Sequence, residues 1–195
     1  MRRRLLVLTL CAVTATATAC GTGTSDAPEP RAEVPPAILT LPASARDSTA
    51  TLAALSSFRS RVDADTARMA VISRPLDLGA GATGTLTAWR AGRAWQRMRV
   101  SGEGTGFRSD DIYWFHDGGV VGAQLTITRP NQPARMDQVW FRGADVYRWV
   151  DADGRRLSLD SRSTQSEVAA LRDRIDRIAL LLPSIDSVPQ VTRTP

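Results

Sequence analysis

The stretch YWFHDGGVV, Tyr113 to Val121, sets three aromatic rings before an Asp-Gly pair and then returns to branched aliphatics. Aromatic and β-branched residues favour pleated strands, and Asp-Gly is a favoured pair for the tight turn of a two-stranded hairpin. The outline recurs in WRAGRAW, Trp89 to Trp95, and in FRGADVY, Phe141 to Tyr147. Trp89, Phe115 and Phe141 are 26 residues apart, as are Trp95, Val121 and Tyr147. A fixed period of this size marks one supersecondary unit used several times. The unit predicted here is a hairpin, with turns at Ala91-Gly92, Asp117-Gly118 and Gly143-Ala144.

The stretches between hairpins, SGEGTGFRSD at Ser101 to Asp110 and RPNQPARM at Arg129 to Met136, are rich in Gly or Pro and read as connections. Asp153-Gly154 and the run before Pro75 each suggest a further strand. Six to eight antiparallel strands in a meander are therefore expected. Before the repeat, Leu52, Leu55, Phe58 and Val62 recur at helical spacing behind Asp47 or Ser48 as N-cap. After it, Thr164-Gln165-Ser166-Glu167 has the form of a capping box, and Val168, Leu171, Ile175, Ile178 and Leu182 line one face up to Pro183. The fold class implied is α+β: a meander of three repeated hairpins flanked by an N-terminal and a C-terminal amphipathic helix.

Side chains alternate across a strand, so the register set by two-residue turns sorts the strand residues into two faces. One face collects Leu86, Ala88, Trp95, Ile112, Trp114, Val121, Ala123, Trp140 and Trp149 as a core for the helices to cover. The other is mixed, with Thr85, Thr87, Tyr113, Gln124 and Thr126, and at its turn end Trp89, Phe115 and Phe141 form an aromatic band. Such a band is ordinary packing, or an aromatic-lined groove for an acyl chain, sugar or peptide. On the second reading Trp89, Phe115 and Phe141 are the candidate ligand-binding residues.

The N-terminus speaks to location. Arg2 to Arg4 precede an apolar run from Leu5 to Val13, too short for the roughly 20 residues of a membrane span, and small residues lead to Ala17-Thr18-Ala19-Cys20-Gly21. This resembles the lipobox of bacterial lipoproteins, at which the cysteine is lipidated and becomes the first residue of the mature chain. Ala17 stands where lipoboxes usually carry Leu, so plain cleavage after Ala19 remains the alternative. The expected organisation is a signal peptide over residues 1–19, lipidated Cys20 and a flexible tether over 20–46, one domain over 47–187 and a disordered tail over 188–195. Cys11 and Cys20 are the only cysteines, so an exported chain of this kind carries no disulfide.

The net charge is +5 and the basic residues are all arginine. Three of them belong to the leader, leaving +2 spread along the rest, so a nucleic-acid partner is not indicated. Catalytic candidates are sparse: His116, Glu103, Asp110, Asp111 and Asp117. His116 and Asp117 belong to a hairpin tip and Glu103 and Asp110 to a connection at the opposite end, so they do not converge. Glu103 with Asp110-Asp111 could serve as loop carboxylates in glycoside hydrolysis. Zinc spacing is missing, and no cofactor is implied. From Gly84 to Arg156 the pattern resembles exported bacterial β-meander proteins of unknown function, a resemblance that brings no catalytic residues with it.

The expectation from sequence is a cell-envelope protein held to a membrane through lipidated Cys20, on the outer membrane if the cell has two. Its domain is expected to be non-catalytic and to bind an envelope ligand or protein partner. An envelope glycan hydrolase and a structural or assembly scaffold are the alternatives.

Overall fold

The computed structural model describes residues 34–42, 48–79 and 81–182. Cys20, the leader, and the tail from residue 183 lie outside the described residues, as does Asp47. Helix α1 spans Ser48–Asp65, and a short 3-10 turn over Thr66–Arg68 leads into the strands. These are β1 Ala70–Gly79, β2 Ala82–Ala91, β3 Ala94–Gly104, β4 Phe107–His116, β5 Gly119–Thr128, β6 Arg135–Arg142 and β7 Asp145–Val150, followed by helix α2 Arg162–Ala179. All seven strands form one antiparallel sheet in chain order. The chain is thus an α+β meander with one helix before the sheet and one after it.

Two of the expected connections resolve differently. Ser101 to Asp110 is not a long loop: β3 runs to Gly104, β4 starts at Phe107, and Thr105-Gly106 alone turns the chain. The first hairpin turns at Gly92-Arg93, one residue later than the Ala91-Gly92 turn predicted, because Ala91 pairs with Ala94. The second has the expected turn, with Asp117 at φ 49° and Gly118 at φ 76°, the double positive φ that a type I′ turn requires. After β7 the Asp153-Gly154 turn adds only a single bridge, Val150 to Arg156.

Each of the three repeated hairpins carries a β-bulge close to its turn, at Trp89/Arg90, Trp114/Phe115 and Trp140/Phe141. A bulge sets two residues against one, and a slip of one residue moves every later side chain to the opposite face. Without the bulge Ile112 would face Ala123; with it, Tyr113 does. The two faces predicted from sequence are therefore reassorted. On the α2 side lie Leu86, Ala88, Met98, Tyr113, Phe115, Ala123, Val139, Phe141 and Trp149, packed with Leu171 and Ile178 of α2. On the α1 side Phe58 and Val62 pack with Trp114, Ala91, Met69 and Val34.

Helix α1 buries Leu55, Phe58 and Val62, three of the four positions expected from spacing, and Thr51 besides, while Leu52 is only half-buried. In α2 the N-cap is Ser161, whose hydroxyl accepts from the Thr164 amide at 3.3 Å, so the helix starts ahead of the Thr164 capping box predicted. Part of the predicted tether is also domain. Residues 34–42 form a strap along α1 and the first hairpin: Val34 is buried, the Ala37 amide donates to Gln96 Oε1 at 2.9 Å, and Arg61 donates to the Ile38 carbonyl at 2.7 Å. Gln96 is the extra residue of the first bulge and is fully buried. The bulge thus turns a side-chain amide toward the strap instead of into the ladder.

Candidate functional site

The α1 side of the sheet has two zones. Near the hairpin tips it carries the tryptophans three positions before each turn, Trp89, Trp114 and Trp140, interleaved with arginines. Arg97 lies 4.5 Å from the Trp89 ring, and Arg59 of α1 lies 5.5 Å from Trp114 and 5.8 Å from Trp140. Asp63 of α1 joins the row by accepting from Trp114 Nε1 at 2.8 Å, and Arg97 Nε stands 3.1 Å from the same carboxylate oxygen, not aligned for a hydrogen bond. Burial lowers the Arg97 pKa below the ordinary guanidinium value, against the pull of Asp63. Gly122 makes room for the row, since a Cβ there would stand 2.7 Å from the Trp140 ring.

Towards the other ends of the strands the same face is uncovered and polar. Pairing aligns Thr83, Glu103, Arg108 and Thr128 in one row across β2 to β5, and Thr85, Ser101 and Asp110 in the next. These side chains line a groove of about 470 Å³ that also includes Arg99 and Thr126. The guanidinium of Arg99 grips Asp110 through both oxygens, at 2.6 and 2.7 Å, and this hydrogen bonding raises the Arg99 pKa further. Arg108 donates to Glu103 at 3.1 Å. Glu103 and Asp110 are diagonal neighbours on adjacent strands, a relation that places Cα atoms about 7–8 Å apart. Hydroxyls on either flank donate and accept, while the central pairs present guanidinium beside carboxylate.

Of the carboxylates singled out by sequence, Glu103 and Asp110 meet at this groove, but Asp111 does not. Asp111 lies on the α2 side, where Arg174 donates to it at 2.9 Å and the Thr126 amide at 3.3 Å. Burial pushes its carboxyl above the usual range, with Arg174 pulling the other way. Burial likewise raises the phenol of Tyr113, whose hydroxyl stands 3.5 Å from the same carboxylate. His116 sits at its hairpin tip as expected, yet it is not a free tip residue: its ring packs edge-on against Phe58 at 5.6 Å.

No known protein family matches the chain. Neither does any curated protein or any solved structure.

The aromatic band is a correction. Phe115 and Phe141 come together, but in the core beneath α2, 3 % and 4 % exposed. Trp89 lies on the opposite face, half-buried among the α1 cluster. The bulges and the displaced first turn are the cause: the residue equivalent to Phe115 and Phe141 is Arg90, and Trp89 is equivalent to Trp114 and Trp140. Candidate lipidation at Cys20 lies outside the described residues. Among those residues no group of three or more His, Cys, Asp or Glu side chains could hold a metal ion, and no helix is long and apolar enough to cross a membrane.

Arg99, Arg108 and the hydroxyls were missed from sequence, although a signal exists. Polar residues alternate along four successive strands, in Thr83-x-Thr85-x-Thr87, Arg99-x-Ser101-x-Glu103, Arg108-x-Asp110 and Thr126-x-Thr128. Taking Ser101 to Asp110 as a loop breaks this period in the middle, where it is most informative.

Proposed function

We propose that the chain is a lipid-anchored protein of the bacterial envelope whose domain is a non-catalytic binding module, with the polar groove across β2 to β5 as its binding surface. The observation that carries the groove is the contrast within one sheet face. Its tip half is covered by α1 and the strap, and its other half is left open with guanidinium, carboxylate and hydroxyl groups convergent on about 470 Å³. A few polar groups converging in a concavity is the usual form of a recognition site. The anchor is supported by the charged, apolar and small-residue order before Cys20.

A second reading, glycan hydrolysis, has one observation in its favour: Glu103 and Asp110 are diagonal neighbours in the groove, at a spacing compatible with a carboxylate pair. Against it, each carboxylate is already engaged by an arginine.

The test uses the full chain expressed in a bacterial host. Cys20→Ser is expected to move the protein from the membrane to the soluble fraction, since lipid chains supply the membrane affinity. Arg99→Met with Arg108→Met, in the soluble Cys20→Ser background, is expected to abolish co-sedimentation with the washed insoluble envelope fraction. Unchanged partition after Cys20→Ser sinks the anchor, and unchanged co-sedimentation sinks the groove. Release of reducing ends from envelope glycans, lost in Glu103→Gln, would favour the hydrolase over the binding module.

A further inference from the structure

We infer that the groove takes a neutral glycan chain, laid across β2 to β5. This rests on the groove being the binding surface. Its charges decide the ligand class: Arg99 with Asp110 and Arg108 with Glu103 make two guanidinium and two carboxylate groups, which cancel. A phosphate backbone or an acidic polysaccharide calls for a surplus of cations, as the salt dependence of nucleic-acid binding shows. An acyl chain calls for an apolar lining. The groove meets neither demand, because the other side chains along it are hydroxyls, Thr83, Thr85, Ser101 and Thr126 among them.

A sugar hydroxyl is donor and acceptor at once, and this floor offers both within one step of the sheet. Asp110 takes two of the N–H donors of Arg99, and a guanidinium has five, so the pair presents donors and carboxylate oxygens together. Pairing the charges holds them in place without desolvating either one for nothing, and threonine and serine on both flanks add amphoteric hydroxyls. Four adjacent strands span three spacings, roughly 14 Å, enough floor for more than one sugar ring.

The experiment follows amide shifts of the isotopically labelled full chain, as Cys20→Ser, during titration with N-acetylchitotetraose and maltotetraose as neutral glycans. Oligogalacturonate and vesicles of phosphatidylglycerol serve as acidic glycan and lipid. At least one neutral oligosaccharide should give saturable shifts concentrated at Thr83 to Thr87, Arg99 to Glu103, Arg108 to Asp110 and Thr126 to Thr128. Thr85→Val with Thr126→Val should weaken that binding by about tenfold, whereas Arg172→Ala, on the far side of the sheet, should leave it unchanged. Saturable binding of oligogalacturonate or vesicles at these residues, in preference to the neutral probes, overturns the inference. So does the lack of any saturable shift with the neutral probes up to millimolar concentration. If Arg99→Met with Arg108→Met still abolishes envelope co-sedimentation, only the ligand class has failed; if it does not, the groove reading has failed with it.

Discussion

The two halves of the sheet face on the α1 side share strands, twist and solvent side, yet they are built from opposite chemistry. At the tips β2, β4 and β6 bring Trp89, Trp114 and Trp140, and α1 closes over them with Phe58, Arg59 and Asp63. Further along the same strands stand Thr83, Thr85, Asp110 and Arg108, and no helix covers them. A side-chain period of two permits this change without any change of fold, because a face is only a parity class along each strand. The difference teaches that stability and recognition are separable here. Large apolar area is concentrated where the helix docks, and hydrogen-bonding capacity where it does not.

The largest expected effect breaks the comparison at its covered half. Trp114 is 2 % exposed and holds both a hydrogen bond to Asp63 and the stack under Arg59, so Trp114→Ala loses ring burial and leaves the α1 carboxylate without its indole donor. Truncating a buried tryptophan costs about 3–5 kcal/mol, and chemical denaturation of the variant should show a loss of that order. A loss under about 1 kcal/mol would mean that α1 contributes little and that the two halves do not differ in stability.

How much of this division could be read from sequence follows from the same residues. A meander of six to eight strands and both helices were legible, because turn pairs such as Asp117-Gly118 and the spacing of Phe58, Val62, Leu171 and Ile178 act locally. Parity was not. Gln96, Val121 and Tyr147 each occupy a bulge, and nothing in their identity distinguishes a bulged residue from a paired one until the partner strand is in place. One extra residue per hairpin sent Tyr113 to the core under α2, sent Trp114 to α1, and dissolved the band of Trp89, Phe115 and Phe141. The groove was hidden for a related reason: Gly102, Gly104 and Gly106 look like a loop, whereas the first two lie within a strand and only Gly106 turns the chain.

A second prediction sharpens the contrast from the opposite side of the sheet. Asp111 is 5 % exposed beneath α2, and Arg174 is its cation, while Asp110 one residue earlier points its charge into open solvent with Arg99. Removing Arg174 strands a buried carboxylate. Because Arg174 is itself half exposed, Arg174→Ala is expected to cost about 1–3 kcal/mol at neutral pH, less than a fully buried pair would. The sign with pH follows from burial raising the Asp111 carboxyl. A raised carboxyl binds its proton more readily in the folded state, so its contribution is most favourable at pH below the ordinary value of about 3.9 and is lost as pH rises through the raised value. Without Arg174 that rise is larger, and the deficit of Arg174→Ala should shrink as the pH falls from 7 to 4. Urea denaturation at the two values decides it. A deficit that is constant or grows on acidification would mean that the Asp111 carboxylate is not the group left stranded.

The smallest expected effect belongs to the open half, and there a near-zero result is the informative one. Arg108 and Glu103 form an exposed ion pair, 71 % and 65 % exposed at their side chains, and pairs of this kind contribute about 0–1 kcal/mol. Thr85 is an exposed hydroxyl and Thr126 a half-buried one, both lining the groove. Valine keeps the branched shape of threonine and suits a strand at least as well, so Thr85→Val and Thr126→Val remove a hydroxyl each with little change in packing. Arg108→Ala and both valine variants should therefore unfold within about 0.5 kcal/mol of the parent in urea. If they do, and co-sedimentation with the envelope falls all the same, the polar grid serves a ligand and not the fold. A stability loss above about 1 kcal/mol in any of the three would instead assign that side chain a structural role, and the separation of the two halves would not hold at that strand.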